Sequence, residues 1–313
     1  YSSRISGCRR RRKYPHPTGQ NYLFFQWVAR LQNLSKNMTS KKIATLSVTL
    51  ATYNESKNIV RCLSAIADIA DEIIVVDGQS QDNTAELVKK FKQAKVISTT
   101  NKPMFHLNKQ MGISKSKGDW ILQLDADEVV TDKLKAEIKS YLQKDPSTVP
   151  ENGFWIPRKN YFLGTFLTKG GQYPDPTIRF YKNGTAYLPC QDVHEQAVVK
   201  GPVGWLKNDL EHYADTSFSL YLLRANRYTT LLAEELNTQQ VPLTFTSFIN
   251  YYLFKPLFWF LKTYFRHRGY VDGFPGFVFS FYSALRFPIA YTKYYELTKT
   301  NRDINLSQDW DKK

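Results

Sequence analysis

The sequence predicts an α/β fold, a mostly parallel sheet flanked by helices, followed by a C-terminal appendage of aromatic-rich helix. Three observations predict it. Short apolar runs alternate with stretches of helical spacing over residues 46–124, the pattern of βαβ units and so of parallel pairing. Three of those runs end in polar or acidic clusters, and in an open α/β sheet ligands bind beyond the carboxyl ends of the strands. Residues 245–295 hold 20 of the chain's 46 aromatic residues, which sets them apart from what precedes them.

Taken in order, Leu46, Val48 and Leu50 alternate with Thr45, Ser47 and Thr49, a strand leading into Ala51-Thr52-Tyr53-Asn54-Glu55. Ile59, Leu63 and Ile66 follow at helical spacing. A second strand at 73–76 leads into Asp77-Gly78-Gln79-Ser80-Gln81-Asp82-Asn83-Thr84. There Asp82 or Asn83 is expected to cap a helix turning Leu87, Val88 and Phe91 inward. A third strand at 95–98 and a helix over 105–117 precede the strand 120–124, which ends in Asp125-Ala126-Asp127-Glu128. Pro150, Pro157, Pro174, Pro176 and Pro189 then punctuate β-prone runs such as 154–156 and 178–181, expected at a mixed sheet edge with loops. Residues 216–236 read as a helix with Leu220, Leu223, Tyr228, Leu231 and Leu232 on one broad face. The expected division is a basic leader over 1–42 and an α/β domain over 43–235, in two halves that meet between 135 and 136. A helical membrane-associating region over 236–297 and a polar tail over 298–313 complete it.

At 313 residues the chain buries a substantial core. Cys8, Cys62 and Cys190 are few, odd in number and without metal-ligand spacing, which excludes a disulfide framework and leaves them structurally passive. The net charge of +15 is uneven: residues 1–37 carry eight Lys/Arg and no acid. This arm reads either as a nucleic-acid or anionic-lipid patch or as a dispensable leader before Met38, and the second reading is preferred. No apolar core follows its arginines, so a secretory signal is not expected.

The Asp-X-Asp cluster says what the cleft holds. Two carboxylates just past a buried strand are costly unless paired or bound to a metal. Mg²⁺-like cations take carboxylate oxygens and keep substrate phosphates as remaining ligands. The alternative, that residues 125–128 merely cap the helix beginning near Thr131, loses force beside the two upstream clusters.

Thr52-Tyr53-Asn54-Glu55, then Asp77-Gly78-x-Ser80-x-Asp82-x-Thr84, then Asp125-x-Asp127-Glu128 resembles glycosyltransferase family 2. That family has the GT-A fold and transfers sugars from nucleotide-diphospho-sugars with inversion, which would make 43–235 the catalytic domain, with its donor half at 43–135 and its acceptor half at 136–235. Thr177-Ile178-Arg179-Phe180-Tyr181 with Asp192-Val193-His194-Glu195, and the 269–277 stretch Gly-Tyr-Val-Asp-Gly-Phe-Pro-Gly-Phe, resemble its lipopolysaccharide-core β-glucosyltransferase branch.

The resemblance implies a divalent metal, Mg²⁺ or Mn²⁺, with Asp127 as direct ligand and Asp125 nearer the ribose. It places Asp77 at the base edge and Thr52, Tyr53 and Glu55 around base and ribose, and it brings the catalytic base from a carboxylate well downstream. Glu195 is the preferred base, Asp192 the other candidate, and His194 a candidate metal ligand. Asp82 reads as a cap. Arg179 reads equally as an acceptor-phosphate contact or a surface salt bridge. Lys102, Asn108 and Lys109 are candidates to face the diphosphate, with a solvated helix face the preferred reading of Lys109.

In residues 245–295 six Lys/Arg accompany the aromatics and Asp272 is the only acid. The apolar run Gly273–Leu285 would be roughly 20 Å long as a helix, and a bilayer core needs ~30 Å. The segment therefore reads as lying in the headgroup region, against the alternative of a buried subdomain or dimer interface. Together these features predict a transferase at the cytoplasmic face of the cell membrane, taking a UDP-sugar to a lipid-linked or lipopolysaccharide-type acceptor. A protein or peptide acceptor is the second reading. Non-catalytic nucleic-acid binding through the basic arm is the third, and no recognition motif elsewhere supports it.

Overall fold

The computed structural model describes residues 42–102, 104–190 and 195–300. The basic leader, Asp192, His194 and the last thirteen residues lie outside the described residues. Strands β1 (Leu46–Thr52), β2 (Glu72–Asp77), β3 (Ala94–Ser98) and β4 (Trp120–Leu124) are the predicted ones, β4 with the expected bounds and the others extended by a residue or two. Helices α1 (Ile59–Ser64), α2 (Thr84–Val88) and α3 (His106–Lys115) connect them. The order β3-β2-β1-β4 is parallel throughout.

Three further strands complete this sheet. β6 (Gly153–Ile156) and β9 (Thr177–Lys182) enter with β9 antiparallel to both β4 and β6, and β12 (Val203–Trp205) closes the edge parallel to β6. Between these stretches lie β5 (Glu128–Val130), α4 (Asp132–Leu142), β7 (Arg158–Phe162), β8 (Thr165–Phe166), β10 (Ala186–Tyr187) and β11 (Val198–Val199). α4 starts as expected: the Thr131 hydroxyl accepts from the Leu134 amide. The core is centred on Trp120, stacked on Phe180 with ring centroids 4.6 Å apart and flanked by Phe154 and Tyr141.

A second sheet, β5-β13-β7-β8, includes β13 (Leu210–Asp215). Its register sets Glu128, His212 and Asn160 opposite one another on three adjacent strands. β7 turns into β8 through Leu163 and Gly164, both at positive φ, the two-residue hairpin geometry.

The helical part is α5 (Phe218–Thr238), α6 (Phe245–Ile249), α7 (Lys255–Leu261), α8 (Gly273–Ala284) and α9 (Arg286–Thr300). Two π-helical turns, Asn250–Phe254 and Lys262–Arg266, continue α6 into α7 and beyond. The inward face of α5 differs from expectation: Thr229, Thr230, Ala233 and Leu236 are buried, whereas Leu220, Leu223 and Tyr228 are exposed. The helix packs along α9, and Lys293 of α9 bonds the Asn226 carbonyl and the Thr229 and Thr230 hydroxyls, so the face carrying small polar residues is the one that goes in.

The helical part is not detached from the catalytic part. Phe162 and Leu167 share a buried cluster with Val278 of α8. Asp272 accepts from the Thr168 amide and hydroxyl and from the Lys169 amide.

Candidate active site

The ends of β1 and β2 form one interlocked turn. The Thr52 hydroxyl donates to Asp77 Oδ1 at 3.1 Å, and the Ser80 amide donates to Asp77 Oδ2 at 2.9 Å. The Ser80 hydroxyl also donates to Asp77 Oδ1 while accepting from the Asn54 amide. Asn54 and Gln79 adopt positive φ to make this turn, a conformation Asn tolerates better than most residues. Glu55 is tied in at its amide by the Thr84 hydroxyl, 2.8 Å away, and its carboxylate accepts from Asn58. Tyr53 is half-buried at the rim.

Asp82 acts within this turn. Its Oδ1 accepts from the Thr84 amide at the start of α2 and its Oδ2 from the Ser56 amide. Slight burial works against ionisation there, but the hydrogen bonds from Thr84 and Ser56 win and lower its carboxyl to about 2. Asn83, at the cap position itself, makes no side-chain cap.

Beyond β4, Asp125 sits between two cations. Lys109 Nζ lies 2.5 Å from Oδ1, and Arg179 contacts Oδ2. Burial would raise this carboxyl, but Arg179 and Lys109 outweigh it and hold Asp125 far below the usual range. Lys109 is 7% exposed, not on a solvated helix face. Arg179 is 8% exposed and is neither a surface salt bridge nor turned outward: it donates to Gln123 at 2.7 Å and to Glu128 at 3.0 Å. Glu128, fully buried, also takes Arg158 at 3.1 Å, and Arg158 continues to Asp175. Such a buried network holds only because each charge has a partner.

Asp127 faces His212, Oδ2 to Nε2 at 3.5 Å. Asn160 fixes the imidazole. Its Nδ2 donates to the Gln172 carbonyl and to Asp175, so its Oδ1 must accept from His212 Nδ1–H, 2.7 Å away. That leaves Nε2 directed at the carboxylate, across a gap wider than an ordinary N–H···O bond. Burial would raise the Asp127 carboxyl, but the interaction with His212 outweighs it and holds it below its ordinary range. A carboxylate oxygen and an imidazole nitrogen are both donor types that a divalent cation accepts, and Asn160 aligns the ring. Among the described residues no third His, Cys, Asp or Glu completes such a group.

Of the downstream candidates only Glu195 is described. Its Oε1 accepts from the Cys190 amide, and its charge is felt by His106 in the first turn of α3. His106 is held below its ordinary value by burial and then by the charge of Lys109. Cys62 lies beneath the site, its thiol pushed up by burial and by Glu128, Asp127 and Asp125, which keeps it inert. Asn108 is buried, with Nδ2 on the Thr100 carbonyl.

The model of glycosyl transferase family 2 matches residues 47–171, the span holding all three strand-end clusters. Over that span the chain is similar to glycosyltransferase family 2. The transferase is 29% identical to an uncharacterized glycosyltransferase of Rickettsia typhi, over 86% of this chain and 92% of that one. It is 27% identical to the lipopolysaccharide core biosynthesis glycosyltransferase LpsC of Rhizobium meliloti, over 77% and 91% of the two chains. Among solved structures, TarS of S. aureus aligns over 82% of the transferase and 92% of its own chain, at 15% identity and a TM-score of 0.41. The alternation of strand and helix, the parallel order β3-β2-β1-β4 and the acidic cluster after β4 are those of a GT-A transferase.

Sequence reasoning missed His212, Glu128 and the pairing of Lys109 with Asp125. The signal for His212 was slight, a lone histidine in a short β-prone run, and only the register of the second sheet brings it to Asp127.

Proposed function

We propose that the transferase is an inverting hexosyltransferase carrying a sugar from a nucleoside-diphosphate sugar, with UDP as the carrier, to a lipid-linked or lipopolysaccharide-type glycan at the inner face of the cell membrane. The observation that carries this reading is the Asp127–His212 pair beside Asp125 and its two cations, beyond the carboxyl ends of parallel strands. Thr52, Tyr53, Glu55 and Asp77 border the base and ribose. Asp77 keeps capacity for the base edge, since an ionised carboxylate offers about four lone-pair sites and its own turn takes Thr52 and two groups of Ser80.

Asp127 and His212 would hold Mg²⁺ or Mn²⁺, with diphosphate oxygens completing the shell and His194 a further candidate ligand. The ion would supply Lewis acidity to the departing diphosphate. Asp125 stands at the ribose side of this pair. Lys109 and Arg179 add positive charge where charge develops on the leaving group. Glu195 takes the proton of the acceptor hydroxyl, with Asp192 the other candidate base. The acceptor oxygen bonds to the anomeric carbon as the bond from that carbon to the diphosphate oxygen breaks, the electron pair leaving with the diphosphate. Attack opposite the leaving group inverts the configuration.

The test is calorimetric titration of UDP in Mn²⁺ and in EDTA, with wild type and Asp127→Asn. Binding that requires the ion in wild type and is lost in the variant is expected. Equal affinity with and without EDTA would rule out the metal clamp, and no binding of any nucleoside diphosphate would rule out the donor assignment.

A further inference from the structure

The stretch from Phe245 to Phe274 leaves a continuous apolar stripe uncovered. Phe245, Phe248 and Tyr252 are exposed at spacings of three and four, and Phe254, Phe258, Leu261 and Phe265 repeat that spacing after the first π-helical turn. Exposure is largest at Phe245 (78%), Phe274 (72%) and Phe258 (67%). This is the period of one helix face, and so large an uncovered patch marks an interaction surface. Arg266, His267 and Arg268 are exposed where the hairpin turns back between Phe265 and Tyr270.

The charge pattern names the occupant. Asp272, the only acid in residues 245–295, is turned inward onto Thr168 and Lys169. Lys255 and Lys262 stack over Tyr251 and Trp259, at 3.6 and 5.2 Å from the ring centroids. A second copy docked face to face would set arginine against arginine with no acid to match. An anionic bilayer supplies both an apolar layer for the rings and negative headgroups for the arginines. No helix among the described residues is long and apolar enough to cross a membrane, so the stripe lies along the surface.

We infer that the Phe245–Phe274 stripe, with Arg266 and Arg268 at its tip, is a docking surface for an anionic phospholipid bilayer, held in register with the acceptor half by Asp272. The inference deepens the membrane-side reading given above and rests on it. The clamp makes the position useful: Leu167, beside the clamped Thr168, donates to the carbonyl of Asn160, whose side chain orients His212. Docking therefore sets the acceptor side of the cleft at headgroup level.

The experiment uses the full chain with vesicles of phosphatidylcholine alone or mixed with phosphatidylglycerol, read by co-sedimentation, with UDP calorimetry and light scattering in parallel. Wild type should partition onto the mixed vesicles, less so in high salt. Arg266→Glu/Arg268→Glu should weaken that partitioning by at least ~10-fold. Phe258→Ser/Phe274→Ser should weaken it on both vesicle types, and both variants should keep wild-type UDP affinity. Absence of wild-type partitioning overturns the inference. So does a wild-type dimer that Phe258→Ser/Phe274→Ser dissociates while vesicle binding is unchanged. Partitioning as expected in a chain that binds no nucleotide would support the docking surface while refuting the donor reading of the cleft.

Discussion

At the residue scale the site separates charges that hold the architecture from charges left to react. Glu128 is fully buried and engaged by Arg158, Arg179 and the Asp125 amide. Its replacement by Gln would strand buried guanidinium charge, so the fold should suffer before catalysis does. Glu195 carries the opposite expectation. Glu195→Gln should retain UDP binding and lose at least ~10²-fold in transfer rate, the low end for a general base; an active Glu195→Gln beside a dead Asp192→Asn would move the base by three residues. His212→Ala should weaken metal-dependent UDP binding while chelated-state behaviour stays that of wild type, measured by the same titration. Asp82 yields a pH signature. Its folded value of about 2 lies below the ordinary value of roughly 3.9, so its hydrogen bonds stabilise the fold above about pH 4 and are lost as pH falls toward 2. The melting-temperature gap between wild type and Asp82→Asn should accordingly narrow across that window; a constant gap would show that the turn does not depend on the charge.

At the element scale the donor half was legible and the second sheet was not. β1, β2, β3 and β4 have the alternating or apolar pattern that only a strand satisfies, and their polar ends follow directly. The strand His212 lies on is half-buried for most of its length, and its role depends on pairing with Glu128 and Asn160 from β5 and β7. Single-chain periodicity carries no information about that pairing. Lys109 and Arg179 were misjudged for the same reason: each is an ordinary cation until the fold sets it against Asp125. The face of α5 was misassigned because its buried side includes an alanine and two threonines whose hydroxyls accept from Lys293, which hydrophobic spacing cannot detect. Close packing also sets a test at Gly276. A Cβ there would lie 1.9 Å from the Gly269 carbonyl oxygen, a backbone atom that cannot rotate away. Gly276→Ala should cost about 1–3 kcal/mol in urea unfolding and, by displacing the turn that carries Asp272, reduce vesicle partitioning with it. Phe180→Ala, removing the ring stacked on Trp120, should cost about 3–5 kcal/mol.

At the scale of the whole molecule, ligand linkage offers a check that needs no acceptor. A nucleotide bound only by the folded chain at 100 times its dissociation constant stabilises by ~2.7 kcal/mol. Thermal scans with Mn²⁺ and a panel of nucleoside-diphosphate sugars should show that shift for the true donor and lose it in EDTA; a metal-independent shift would locate the binding energy in Lys109 and Arg179 instead. The described residues from Lys42 onward fall within one compact unit, so donor turn, acceptor sheet and aromatic hairpin should melt together.

The Asp272 clamp and the shared Phe162–Leu167–Val278 cluster bear on how such a chain can be recombined. A transferase cut after α5 would lay bare Phe162 and Leu167 and leave the 163–172 loop without its anchor, so a soluble, shortened enzyme is not to be had by trimming alone. Exchange of C-terminal helices between relatives should give active hybrids only when that loop travels with them. The two segments would have to be exchanged together although 104 positions separate Thr168 from Asp272 in the chain.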